Sequence, residues 1–130
     1  VITAPNSTNQ PGIGANADRL HNPHLSAGKQ DPLHWFDTTA YGVPAPFTVG
    51  TGNRVEPDLR GPLYGNWDLD LIRRQKFRDG INFELRLEAV NALNNRNLSP
   101  PDGSVTGGTF GQITASGQAR NVQIDARLAF

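Results

Sequence analysis

The chain has 130 residues, 12 basic and 12 acidic side chains and no net charge, which argues against nucleic acid as main partner, since counterion release needs surplus Lys and Arg. Its 36% hydrophobic content is low against the ~45–50% of a domain that builds its own core. The lack of cysteine removes disulfides and thiolate metal sites, and no run of ~18 apolar residues offers a transmembrane helix. A membrane barrel stays open, because its alternating strands average out polar.

Residues 1–65 come first. The chain starts at Val1 and contains no Met, so it reads as a processed or truncated piece, or as one whose start was not identified. Eight of the ten prolines fall in 1–65, beside an Asn-, Ser- and Gly-rich stretch over 6–16. Proline removes a ladder donor and is kept out of central strands. This half is therefore expected to be loop with at most short edge strands, and a loop that long calls for support from elsewhere.

Several residues in this half invite a chemical reading. His21, His24 and His34 have the type and spacing of metal ligands, but without a supporting element they read as solvated loop histidines. Gly12-x-Gly14 and Gly50-x-Gly52 lack the following helix that a phosphate loop needs. Trp35, Phe36 and Tyr41 are aromatics that either stack on a sugar or planar ligand or pack against a neighbouring strand. No cofactor is expected.

The second half, 66–130, is patterned. Trp67, Leu69 and Leu71 alternate with Asp68 and Asp70. Ile81, Phe83, Leu85, Leu87 and Ala89 alternate with Asn82, Glu84, Arg86 and Glu88. Val122, Ile124, Ala126, Leu128 and Phe130 alternate with Asn121, Gln123, Asp125 and Arg127. A period of two is the signature of strands with one apolar face, because a helix would scatter these residues around its axis. The pattern predicts three antiparallel strands over about 66–77, 81–93 and 119–130, in an all-β fold. Asp68 and Asp70 share the polar side and read as surface or lumen charge rather than a catalytic carboxylate pair.

Register follows from keeping the apolar side together. A two-residue turn, Asp79-Gly80, would pair Lys76 with Phe83 and mix the faces. A three-residue turn, Arg78-Asp79-Gly80, pairs Phe77 with Ile81, Leu71 with Leu87 and Leu69 with Ala89, with Gly80 left-handed. It also sets Arg74 against Glu84, a cross-strand ion pair. Asp70 then faces Glu88, which is unfavourable unless Arg86 or another strand intervenes.

Alternation does not say what covers the apolar side. A soluble sheet packed on a core fits the pattern. Three features favour a membrane barrel: strands near the ~9–11 residues that span a bilayer, aromatics near strand ends (Trp67, Phe77, Phe130), and charge along the whole polar side. Arg73 and Gln75 fall on the apolar side, where Arg73 is expected to snorkel toward the interface.

Arg60-Gly61-Pro62 followed by Asn66-Trp67-Asp68-Leu69-Asp70-Leu71 resembles the end of a TonB-dependent outer-membrane receptor. The closest likeness is to the acidobacterial type that carries a carboxypeptidase-regulatory-like domain. Trp35-Phe36-Asp37-Thr38-Thr39-Ala40-Tyr41, Pro44-Ala45-Pro46-Phe47-Thr48, Glu88-Ala89-Val90-Asn91-Ala92-Leu93-Asn94, Phe110-Gly111-Gln112-Ile113-Thr114 and the closing stretch 120–130 are similar to segments in the same order. Leu93 departs from a frequent Phe, and 1–34 have no counterpart. The resemblance implies a barrel of about 22 strands, with a plug and a coupling motif that this chain does not contain. It implies a periplasmic turn at 78–80, extracellular segments at 1–65 and 94–118, and Phe130 as the assembly signal for the barrel-insertion machinery.

The expected function is non-enzymatic: a C-terminal barrel segment of a receptor-like outer-membrane protein, unable to transport alone. Its strands have open edges, which predicts pairing with the remainder of the barrel or with other copies of itself. The residues expected to carry strand pairing are Trp67, Leu69, Leu71, Phe83, Leu85, Leu87, Val122, Ile124, Leu128 and Phe130. In an intact barrel the apolar side would meet outer-membrane lipid. As a released extracellular fragment, the chain would assemble by strand addition into a filament. Part of an intact transporter for large nutrients, or a soluble carbohydrate-binding β-module, are the alternatives.

Overall fold

The computed structural model describes residues 1–8, 15–77 and 80–130. Three strands stand where the alternation places them: β3 (Leu69–Lys76), β4 (Asn82–Val90) and β5 (Asn121–Ala129), ordered β3-β4-β5 in one antiparallel sheet. Two short strands precede them, β1 (Asp18–Arg19) and β2 (Tyr41–Gly42), which pair with each other. A single 3-10 turn over Thr38–Ala40 is the helical element among the described residues. The fold is all-β and the sheets are open.

The chain divides into two units, each made of two segments. One comprises Val1–Pro62 and Ser99–Ala115, the other Leu63–Leu98 and Ser116–Phe130.

The first unit organises its loops around aromatics. Phe36 is 1% exposed and Tyr41 5%, and both meet Phe110 edge to face at centroid distances of 5.3 and 6.3 Å. Ile2, Ala4, Ala17 and Ala40 fill the remaining interior. Asp37 starts the 3-10 turn by accepting from Thr39 N at 3.0 Å and Thr39 Oγ1 at 2.7 Å, which turns Phe36 and Tyr41 toward the same interior. Backbone bonds bring in the later segment: Trp35 N donates to Gly111 O at 3.0 Å and Thr3 N to Gly103 O at 2.8 Å. Gly111 has φ +79°, and a Cβ there would collide with the Thr38 methyl beside Phe36, so the position needs glycine twice over.

An ion cluster ties down the 50s loop of this unit. Arg19 pairs with Glu56 at 3.2 Å and with Asp58, while Arg19 N donates to Thr51 Oγ1 at 3.0 Å. The bond to Asp58 raises the Arg19 pKa further above its ordinary value. Burial, with the Glu56 carboxylate beside it, pushes the Tyr41 phenol well up, so that it stays protonated.

The second unit is the three-stranded sheet and its connections. Its register is the one that apolar matching requires: Leu69 opposite Ala89, Leu71 opposite Leu87, Arg74 opposite Glu84. Phe77 N donates to Ile81 O at 2.8 Å, and Gly80 is left-handed at φ +82°. Arg78 and Asp79 of the expected three-residue turn lie outside the described residues. The strands are shorter than expected at their ends. β4 stops at Val90 because Asn91 turns to φ +51°, where the extended ladder cannot continue.

Candidate functional site

The two faces of the β3-β4-β5 sheet differ in chemistry, one mostly apolar and one mostly charged, and the pleat is the cause. Successive side chains point to opposite sides, and the register aligns equal chemistry across all three strands. One side carries the rows Leu69/Ala89/Val122, Leu71/Leu87/Ile124, Arg73/Leu85/Ala126 and Gln75/Phe83/Leu128. Phe77, Ile81 and Phe130 extend it at the 78–80 end. Trp67 extends it at the other, where its carbonyl accepts from Ala92 N at 2.7 Å.

Apolar residues of this side stand open. Leu71 is 67% exposed, Ile124 68% and Phe130 100%, and Trp67, Leu69, Leu85, Leu87, Val122 and Leu128 are exposed as well. Phe83 is half-buried between its neighbours. A patch this continuous needs a nonaqueous cover. Its height is informative. Ten residue steps from Trp67 to Phe77, at ~3.4 Å each, make ~34 Å along the strand. A tilt of ~40° leaves ~26 Å, against the ~25 Å apolar band of outer-membrane barrels. Aromatics sit at both limits, Trp67 at one and Phe77 with Phe130 at the other.

The opposite side is a charge ladder. Arg74 Nε donates to Glu84 Oε2 at 2.6 Å, the expected cross-strand pair. The Asp70–Glu88 juxtaposition is real, and Arg86 resolves it. Its guanidinium reaches Asp70 at 3.2 Å and Glu88 at 3.0 Å, so one cation bridges both carboxylates. Asp125 and Arg127 of β5 continue the ladder opposite Arg86 and Glu84. Ile72, Val90 and Ala129 are the apolar residues on this side.

Arg73 is the exception on the apolar side. Its guanidinium donates to Gln75 Oε1 at 3.5 Å and forms no ion pair among the described residues. Facing lipid, an arginine costs about 2–4 kcal/mol at mid-bilayer and ~0–1 near the interface. It stands four residues from Phe77, ~10 Å into the band at that pitch and tilt, and its contact with Gln75 leans toward that end.

Both outer strands leave an edge open, since β3 and β5 each pair only with β4 among the described residues. At the end of the sheet away from Gly80, an asparagine cluster unnoticed in the alternation ties the chain together. Asn91, 2% exposed, donates through Nδ2 to Gln118 O at 2.9 Å and Asn95 O at 3.1 Å, and its N–H reaches Asp68 at 2.9 Å. Asn97 Oδ1 accepts from Gly65 N at 3.0 Å, and Asn94 Oδ1 from Arg120 N at 3.2 Å. Asparagine suits both jobs. It tolerates the positive φ found at Asn91 (51°) and Asn94 (54°), and its amide both donates and accepts. The signal was four asparagines within 91–97 directly after a strand.

The other expected site residues fall elsewhere. Phe36 and Tyr41 are interior packing in the first unit. Trp35 is partly buried, and its Nε1 donates to Arg60 O at 2.8 Å. It lines an open cleft of ≈ 390 Å³ with Leu59, Arg54 and Pro101. His21 lies 3.1 Å from Asp37 and His34 3.8 Å from Asp31, so these two serve separate carboxylates, while the His24 backbone N–H donates to Asn22 Oδ1 at 2.9 Å. Asp68 and Asp70 are likewise held apart, one by Asn91 and the other by Arg86.

A family model described as outer membrane beta barrel domain matches residues 1–123, including the first 34 residues that the motif likeness left unmatched. No curated protein and no solved structure matches the chain.

Proposed function

The chain belongs to the outer membrane β-barrel domain family, and from that premise we propose that β3, β4 and β5 are neighbouring wall strands of a barrel of the TonB-dependent receptor type. Their apolar side faces lipid and their charge ladder faces the lumen. The observation that carries this reading is the continuous exposed apolar band, ~26 Å tall at a ~40° tilt, closed by aromatics at both limits. The order and spacing of the receptor-like motifs support the receptor type over other barrels. The role is structural and non-enzymatic. Three strands do not close a barrel, and in lipid each unpaired backbone group costs several kcal/mol. Uptake of a large nutrient therefore requires the remaining wall strands, with which the open edges of β3 and β5 pair.

A nitroxide scan tests this. The chain has no cysteine, so single substitutions label it cleanly within its own bounds. In the intact protein in bilayers, labels at 83, 85, 87, 122, 124 and 128 are expected to collide with oxygen. Labels at 84, 86, 88, 123 and 125 are expected to collide with a water-soluble nickel chelate. A scan without alternation removes the wall assignment.

The same free edges support a second reading for the chain released on its own. Unpaired N–H and C=O groups along β3 and β5 are a template for strand addition, so copies of the chain would join edge to edge into an extracellular filament. Electron microscopy and size exclusion of the purified chain decide it; a well-ordered monomer ends the idea.

A further inference from the structure

The arginine on the apolar side has a defined setting. Arg73, Leu71, Leu85, Leu87 and Ile124 line one recess of ≈ 200 Å³ on that face. Four of the five are aliphatic and the fifth is a cation without an ion pair among the described residues. Gln75, which accepts from Arg73, lies two residues closer to the 78–80 end. Leu71, Leu87 and Ile124 form the row on the other side of Arg73. Going from the turn end inward, the order is therefore amide, guanidinium, then a row of three aliphatic side chains.

We infer that this recess binds one phosphate-headed lipid from the leaflet next to the 78–80 turn. The phosphate pairs with Arg73 beside the Gln75 amide, and an acyl chain lies across Leu71, Leu87 and Ile124. Charge and polarity choose the occupant. A guanidinium that leaves water needs an anion with which to share its hydrogen bonds, and phosphate matches its forked donors. A second copy docking by the same face supplies no such anion, because its rows contain no Asp or Glu. The aliphatic row calls for a hydrocarbon, which a free phosphate lacks. This inference rests on the lipid-facing reading above.

The test uses the intact protein that contains this chain, held in nanodiscs of phosphatidylcholine with a minor share of phosphatidylglycerol, then released in mild detergent for native mass spectrometry. One retained phosphatidylglycerol is expected. Arg73→Gln lowers its retention on the order of tenfold, and Arg73→Lys restores part of it. Leu87→Trp, which fills the recess and leaves the charge in place, also lowers retention, so the inference stays testable where Arg73→Gln does not fold. Millimolar inorganic phosphate is expected not to compete. Equal retention by wild type and both variants overturns the site, as does displacement by inorganic phosphate alone or a carboxylate from another strand cross-linking to position 73. The nitroxide at 124 separates the two failures. Oxygen access there without lipid retention removes only the lipid site, whereas no oxygen access removes the lipid-facing reading itself.

Discussion

The two units handle their apolar residues in opposite ways. In the first, the aromatics go inward: Phe36 and Tyr41 are almost wholly buried and interlock with Phe110, although the segments that carry them have little regular structure. In the second, regular structure is complete and the interior is missing. Most of its leucines stand exposed, as does Ile124, and its buried residues among those described are the polar Asn91 and Asn97. A loop-rich segment can thus form a core while a well-formed sheet does not, because burial needs a second surface and hydrogen-bonded strands supply only one. On the proposed wall-strand reading, the sheet's second surface is the lipid around it.

The largest effect that would test this contrast is in the aromatic core. Phe36→Ala is expected to cost about 3–5 kcal/mol in the first unit. Hydrogen exchange at the Trp35 and Ile113 amides, both bonded within that unit, should accelerate, while the β4 amides hold their rates. Uniform acceleration in both units would break the distinction. Next is the exposed band. Ile124→Arg is expected to cost about 2–4 kcal/mol in a bilayer, whereas Gln123→Arg, one residue away on the ladder side, should stay within about 0.5 kcal/mol. Urea unfolding from vesicles compares them, and equal costs would show that the two faces meet the same medium.

A smaller effect concerns acid. The Thr39 side chain first, and His21 second, hold the Asp37 carboxyl below its usual range; the Thr109 hydroxyl and then the Ser104 N–H do the same for Asp102. A carboxyl with a lowered folded pKa stabilises above its ordinary unfolded value, and the contribution is lost as pH falls through the lowered one. The first unit is therefore expected to loosen below the ordinary aspartate range, followed by near-UV circular dichroism. Asp37→Asn, which keeps a capping oxygen, should flatten part of that response, whereas Asp37→Ala, which removes the cap, should cost about 1 kcal/mol near neutral pH. The smallest expected change is at Arg86. Its network is partly exposed, so Arg86→Gln should cost about 1 kcal/mol or less. The loss should shrink when Glu88→Gln is also present, because the carboxylates then no longer repel. A double-mutant cycle measures that coupling.

Much of the second unit was legible in the sequence. Period-two alternation located three strands, and matching apolar residues across the Gly80 turn selected the observed register, including Arg74 against Glu84. Missing from that reading were the asparagine cluster and the early end of β4, and Arg86 stood only as one of two ways to relieve Asp70 and Glu88. Each depends on a backbone angle or a side-chain reach that a pattern of apolar and polar letters does not encode. In the first unit less was visible. Trp35, Phe36 and Tyr41 were equally readable as ligand contacts or packing, because Phe110, which closes the aromatic cluster, is distant in the sequence.

Alternation and turn length act between near neighbours, so the chain by itself determined where its strands run, which side chains share a face and how β3 meets β4. Which aromatics become interior was decided only in three dimensions, where 99–115 returns to 1–62 and Gly111 makes room for the Thr38 methyl beside Phe36. The reason is physical. Extended backbone dictates side-chain direction locally, whereas burial exists only when segments far apart along the chain are brought together.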